Sequence, residues 1–192
     1  VHLPLIMRVP GRRGGIANPN LVSFADVLPT FLDWAGWQGG EGARRGRSVL
    51  TILEETELLP DWQIVFGSHT FHEITNYWPT RFLRTPRYKY HRNVAWKLDF
   101  PFSGDLYGSL SWEGIRNHAP PMIGERSLEN YIRRPAEELY DLDADPEEVR
   151  NLASDPDHAE RLSDLRTRME RWQRETRDPW LFRDGVSVRA VS

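Results

Sequence analysis

The stretch that follows Asp155 constrains the fold most. Leu162, Leu165, Met169 and Trp172 recur at spacings of three and four, which places them in one stripe along a helix. Asp155 offers a side-chain acceptor to the first free amides, and Pro156 suits a first helical position because its missing N–H would have no partner there. On the other side, Asp164/Arg168 and Glu170/Arg174 are opposite charges four residues apart, worth a few tenths of a kcal/mol each. Asp178-Pro179 ends the element, since a residue before proline is pushed out of helical geometry. A helix with a single apolar stripe needs a surface to lie on, and the rest of the chain must supply it.

That surface reads as a sheet. Trp62–Ser68 is short, β-branched and apolar, as in a strand in the middle of a sheet. Arg81–Arg84 and Arg87–Arg92 flank Thr85-Pro86 and predict two strands joined by a tight turn. In the second strand, alternation puts Tyr88 and Tyr90 on one face and Arg87, Lys89 and His91 on the other, so that one face packs while the other meets solvent or ligand. Glu138–Leu142 is a further strand, closed by a turn at Asp143–Pro146. Between Val94 and Pro135, Trp96, Phe100, Phe102, Tyr107 and Trp112 are scattered among Pro, Gly and Ser, which predicts either a functional loop or a cover over the core. The sum is an α+β class, an antiparallel sheet packed by a long C-terminal helix.

The beginning has a different character. Val1–Gly11 reads as a buried strand ending at a Pro-Gly turn, with neither a hydrophobic leader core nor a cleavage site, so Val1 is expected to be a cut. After the loop Arg12–Asn20, Pro29 fits the first turn of a helix whose apolar face is Phe31, Leu32, Trp34 and Ala35, with Gly36 as its C-terminal cap. This strand and helix resemble the tail of a separate α/β layer. The expected division is therefore 1–38 as the end of an α/β domain, 39–60 as a linker with the exposed run Gly39–Arg47, and 61–192 as the α+β unit.

Composition excludes several function classes. The 25 basic and 28 acidic residues give a net charge of −3, too balanced for a nucleic-acid binder by bulk electrostatics. No apolar run approaches the roughly 18 residues of a membrane span. The absence of cysteine removes disulfides, thiolate metal sites and cysteine nucleophiles. At 192 residues, 39% hydrophobic, the chain has enough apolar material for a core.

His69, His72, Glu73 and Arg81 form the best local constellation. His72 and Glu73 offer hydrogen bonds to sugar hydroxyls or an amine, while His69 or Arg81 offers positive charge to a sulfate. The structural alternative has the histidines satisfying buried backbone groups and Glu73 pairing with Arg81. A metalloprotease reading fails on spacing: His72-Glu73 opens an H-E-x-x-H string, but position 76 is Asn. The cations Arg87, Lys89, His91 and Arg92 either attract a sulfated polysaccharide or make a solvated strand face. Trp96, Phe100 and Phe102 either stack on sugar rings or anchor the loop, and Trp172 and Trp180 are assigned to the core.

Four ordered pieces carry a resemblance: LPLIMRVPG at 3–11 with VSFADVLPTFLDWAG at 22–36, RTPRYKYHRN at 84–93, and ELYDLDADPEEVRNLASDP at 138–156 leading into the last helix. Together they resemble the sulfatase family of the alkaline-phosphatase-like superfamily, in its C-terminal part. GSHTFHEITNYWPTR at 67–81, NVAWKLDFPF at 93–102 and RWQRETRDPW at 171–180 are similar to the sulfamidase (N-sulfoglucosamine sulfohydrolase) branch. The resemblance implies hydrolysis of sulfate esters or N-sulfates of sulfated sugars and glycosaminoglycans. It implies a formylglycine nucleophile, made from Cys or Ser in a C/S-x-P-x-R signature, and a calcium ion.

Neither the signature nor the calcium ligands can be placed in this sequence; the nearest string, Tyr77-Trp-Pro-Thr-Arg81, has tyrosine at the nucleophile position. The resemblance therefore implies no catalytic or metal residue here, substrate-binding roles for His72, Glu73, His69 and Arg81, and a catalytic N-terminal domain as partner. The isolated chain is expected to be inactive. A homodimer, and a periplasmic, secreted or lysosomal location, are in keeping with the family. The competing expectation is a non-catalytic module binding sulfated glycans through the basic hairpin face and the aromatic loop.

Overall fold

The structure, a computed structural model, describes residues 3–37, 45–72 and 76–181. Contacts divide the chain into two units, Val1–Val65 and Phe66–Ser192.

In the first unit, Ser23 starts the helix α1 (Val27–Trp34) through a short 3-10 turn, Phe24–Asp26. Its hydroxyl accepts the Ala25 N–H at 3.0 Å, and its own N–H donates to Asp26 Oδ2 at 2.8 Å, a reciprocal cap. At the other end, Gly36 takes φ 70°, its N–H reaches Asp33 O at 2.9 Å, and the Trp37 N–H reaches Leu32 O at 2.9 Å. That is the Schellman closure expected of a glycine at this position. The buried Thr30 hydroxyl donates to Asp26 O at 2.6 Å and accepts the Val49 N–H at 3.0 Å, tying α1 to the turn Val49–Ile52. Val49, Ile52 and Trp62 form a small core flanked by Val22 and Leu59. Residues from Arg45 to Val65 thus fold with the first unit, and the division falls after Val65 where the sequence predicted a linker over 39–60. The stretch 38–44 of that linker lies outside the described residues.

One expectation for this unit is corrected. Leu3–Val9 forms no strand, and Ile6 is 90% exposed. A strand exists by exchanging hydrogen bonds with a neighbour, and among the described residues none is paired with this segment. The apolar side of α1 is open, with Phe31 62% and Trp34 64% exposed, because no described neighbour covers it.

The second unit takes up β1 (Val65–Phe71), β2 (Tyr77–Arg84), β3 (Tyr88–Asn93), α2 (Gly104–Tyr107), α3 (Leu110–His118), β4 (Met122–Ile123), β5 (Arg126–Ser127), α4 (Leu128–Ile132), β6 (Glu137–Asp141) and α5 (Ala159–Glu175). The main sheet has the order β1-β2-β3-β6. Antiparallel register sets Leu83 opposite Tyr90, and Tyr90 opposite Leu139, three fully buried side chains abreast. On this side lies α5, whose Leu162, Leu165, Met169 and Gln173 are buried as the helical stripe requires. Asp155 caps the turn Pro156–His158 that leads into it. Phe66 of β1 stacks on Trp172 with centroids 5.1 Å apart. The fold matches the predicted α+β sheet and helix, except that β1 is an edge strand rather than a central one.

The opposite face is covered by the segment 94–135. Trp78 packs edge-on against Phe100 at 5.5 Å, and Phe102 lies 4.2 Å from Trp112 and 5.6 Å from Tyr131. Of the two roles open to this aromatic stretch, Phe100 and Phe102 serve as cover. With both faces of β3 covered, the cationic row is not a solvated face. Lys89, His91 and Arg92 are 4%, 9% and 6% exposed. Lys89 is held by Glu148 at 2.6 Å, and Arg92 by Gln173 at 2.6 Å. Only Arg87, paired with Asp141 at 2.7 Å, remains largely at the surface.

Candidate functional site

Of the residues singled out by sequence, His69 and His72 lie toward the end of the β1–β2 hairpin and Arg81 lies on β2. The edge position of β1 leaves the His69 and His72 side chains exposed. One ring nitrogen of His69, Nδ1, lies 3.1 Å from Trp78 O, which orients the imidazole and leaves Nε2 outward. The His72 N–H closes the hairpin on Asn76 O at 3.4 Å. Glu73 lies outside the described residues.

Sequence reasoning missed Asp105, in the first turn of α2, which lies within electrostatic reach of His72. Hydrogen bonds from Ser103 first, then from the Leu106 and Asp105 amides, hold its carboxyl below the ordinary carboxylate range, and the His72 charge acts in the same direction. The outcome is an exposed rim carrying two imidazoles and a carboxylate. Asp105 follows Ser103-Gly104 in a stretch without periodicity, so only its place in space brings it to His72.

Arg81 is part of this neighbourhood but not of the exposed rim. It is 3% exposed, and its guanidinium grips Asp178 in a fork, Nε to Oδ2 at 2.6 Å and Nη2 to Oδ1 at 2.8 Å. Nη1 donates to His69 O at 3.1 Å and to Thr80 O at 2.9 Å. Asp178 also accepts Gln173 Nε2 at 2.9 Å and the Trp180 N–H at 3.0 Å, while the Trp180 ring lies 5.2 Å below the Arg81 guanidinium. Burial opposes the charge on Asp178, yet the bonds from Arg81, Trp180 and Gln173 outweigh it and leave its carboxyl below the usual range. A guanidinium committed to this many acceptors holds the end of β1 and the segment after α5 in place; it is a positioning group. Arg81 is thus paired with Asp178, a carboxylate that the sequence reading did not consider.

Among the described residues, no group of three or more His, Asp or Glu side chains could hold a metal ion. No helix among them is long and apolar enough to cross a membrane.

Comparison with known proteins settles the family. The chain is 34% identical over 200 residues to human N-sulphoglucosamine sulphohydrolase, an alignment spanning 98% of this chain and 40% of the human protein. The chain belongs to the sulfatase family. It is also 32% identical over 164 residues to an ulvan-active sulfatase of Formosa agariphila, across 82% of this chain and 30% of that protein. No family model matches. In fold, the sheet and helices are similar to the C-terminal regions of sulfatases. A Bacteroides fragilis structure assigned as a sulfatase superposes with a TM-score of 0.54 at 17% identity, covering 86% of this chain and 27% of that one. This sulfatase chain thus spans well under half the length of the relatives it matches.

Proposed function

We propose that this chain is the substrate-bordering lobe of a sulfatase that hydrolyses sulfate esters or N-sulfates of sulfated sugars. The observation that carries the reading is the 34% identity to the human N-sulphoglucosamine sulphohydrolase along 98% of the chain, hairpin rim included. Formylglycine and calcium would be supplied by residues beyond these 192, since the sequence holds no cysteine and no C/S-x-P-x-R string.

What this lobe contributes is recognition. Exposed His69 and His72 can donate to sulfate or hydroxyl oxygens, and Glu73, next to His72 in sequence, has a carboxylate able to accept from a hydroxyl or an amine. Arg81 acts one layer behind, fixing the His69 carbonyl and so the direction in which that rim faces. On this reading the 192 residues alone turn over no substrate.

The test is kinetic. In a sulfatase carrying this lobe, Glu73→Ala or His72→Ala should lower kcat/KM on a sulfated glucosamine by about tenfold or more, the loss expected for one charge-assisted hydrogen bond. Unchanged kinetics in both variants removes the rim from the substrate site. A pure binding module working through the basic hairpin face is disfavoured, because Lys89, His91 and Arg92 are buried.

A further inference from the structure

A second surface has the chemistry of a ligand site and shares no residue with the rim. The loop after β3 and the loop before β6 enclose a groove of about 430 Å³, with Trp96, Lys97, Leu98 and Asp99 on one wall and Arg133, Arg134 and Pro135 on the other. We propose that this groove binds a sulfated sugar unit of a longer glycan, away from the residues assigned to the substrate rim. The sugar class rests on the sulfatase reading; the existence of the site does not.

The groove is built rather than incidental. Its walls are cross-tied below the opening: the Phe100 N–H donates to Ile132 O at 2.7 Å, and Asn93 holds Pro135 O through Nδ2 at 2.8 Å and Ala136 O through its N–H at 2.8 Å. Asn93 is itself 1% exposed, so both walls are fixed to the sheet. A preformed site avoids the ordering cost that weakens binding by mobile loops.

Charge and surface then select the ligand. Arg134 is largely buried and forked onto Glu138 at 2.7 Å, so its charge is matched from behind and it serves as a rigid donor. Arg133 is 69% exposed and shared between Glu129 at 3.0 Å and Asp99 at 3.6 Å, both similarly exposed. Such exposed pairs contribute little to stability, so a sulfate oxygen can displace either carboxylate at small cost. Lys97 lies over the Trp96 ring at 5.6 Å, and Trp96 and Leu98 are 37% and 45% exposed. An open indole edge with aliphatic surface beside it suits the apolar face of a pyranose, while the cations take its sulfate. A nucleic acid needs a continuous positive track several phosphates long, and Asp99 and Glu129 interrupt one here.

The experiment is calorimetric titration of the 192-residue chain with a heparin hexasaccharide, in parallel with a neutral dextran oligosaccharide of the same size. The heparin fragment should bind, more weakly as salt rises, and dextran should not. Lys97→Ala with Arg133→Ala, and separately Trp96→Ala, should each weaken binding by about tenfold. Arg168→Ala, which removes an exposed cation on α5, should leave it unchanged. These side chains are at the surface, and an unaltered circular dichroism spectrum checks that each variant is folded. Equal affinity in the groove variants, an equal loss in Arg168→Ala, or displacement of the sugar by a single-stranded oligonucleotide would each overturn the proposal. Unchanged kinetics in the Glu73→Ala and His72→Ala variants of a sulfatase carrying this lobe, with groove binding intact, would instead count against the substrate-rim reading alone.

Discussion

Replacing Asp178 by Ala separates a structural from a ligand-binding Arg81. The carboxylate and the guanidinium are each 4% exposed by side chain and meet in a two-bond fork. Removing one partner of a buried pair costs about 3–5 kcal/mol, because the other charge is left without compensation. Two more donors lose their acceptor at the same time, Gln173 Nε2 and the Trp180 N–H. Against this, the segment after α5 can detach and admit water to Arg81, which sets the expected loss near the lower end, about 3 kcal/mol. That is a large share of the roughly 5–15 kcal/mol by which a domain is stable. Urea denaturation of the chain and of Asp178→Ala measures it. A companion variant with Arg81→Met and Asp178→Leu together should recover much of the loss, since neither charge is then buried alone. A loss under about 1 kcal/mol for Asp178→Ala would refute the argument. Arg81 would then be a cation only loosely engaged by the protein and available to a sulfate.

Acid should weaken the fold through His91. Burial first, then the charges of Lys89 and Arg134, hold its imidazole well below 6.5, and among the described residues nothing offers its Nε2 a hydrogen bond. The unfolded chain takes up a proton below about pH 6.5 and the native chain does not, so this contribution is complete above that pH. It is lost as pH falls, by up to about 1.4 kcal/mol per unit. His91→Gln should flatten the stability profile between about pH 6.5 and 5, and an equally steep profile in the variant would contradict this. Gly67→Ala should destabilise by about 1–3 kcal/mol. A methyl group there would fall 2.1 Å from the Phe82 ring, and a thermal melt reads the result. Asp178, Glu137 and Asp141 all have carboxyls lowered on folding, so a further loss of stability should appear as pH drops through and below about 4 in a pH-titrated melt.

The candidate site was legible in part. His69 and His72 stand out because imidazoles crowd one hairpin end; three residues apart they alternate to opposite faces, and the edge position of β1 exposes both. Arg81 was visible as a cation but not as a committed one: its partner Asp178 lies 97 residues along the chain. Asp105 carries no periodic signal, and the groove at Trp96 and Arg133 joins loops that sequence treats separately.

By itself the sequence determined what local geometry encodes. The spacing of Leu162, Leu165 and Met169 makes a helix with one buried stripe, and Gly36 closes a helix because it alone takes φ 70° without strain. Alternation sets which side chains of β3 share a face. Tertiary structure decided what each face meets. Lys89 is buried because Glu148 comes back to it from 59 residues away, and the α1 face is open because no described neighbour covers it. Whether a polar side chain serves the fold or a ligand depends on such distant partners, and neither periodicity nor residue type records them.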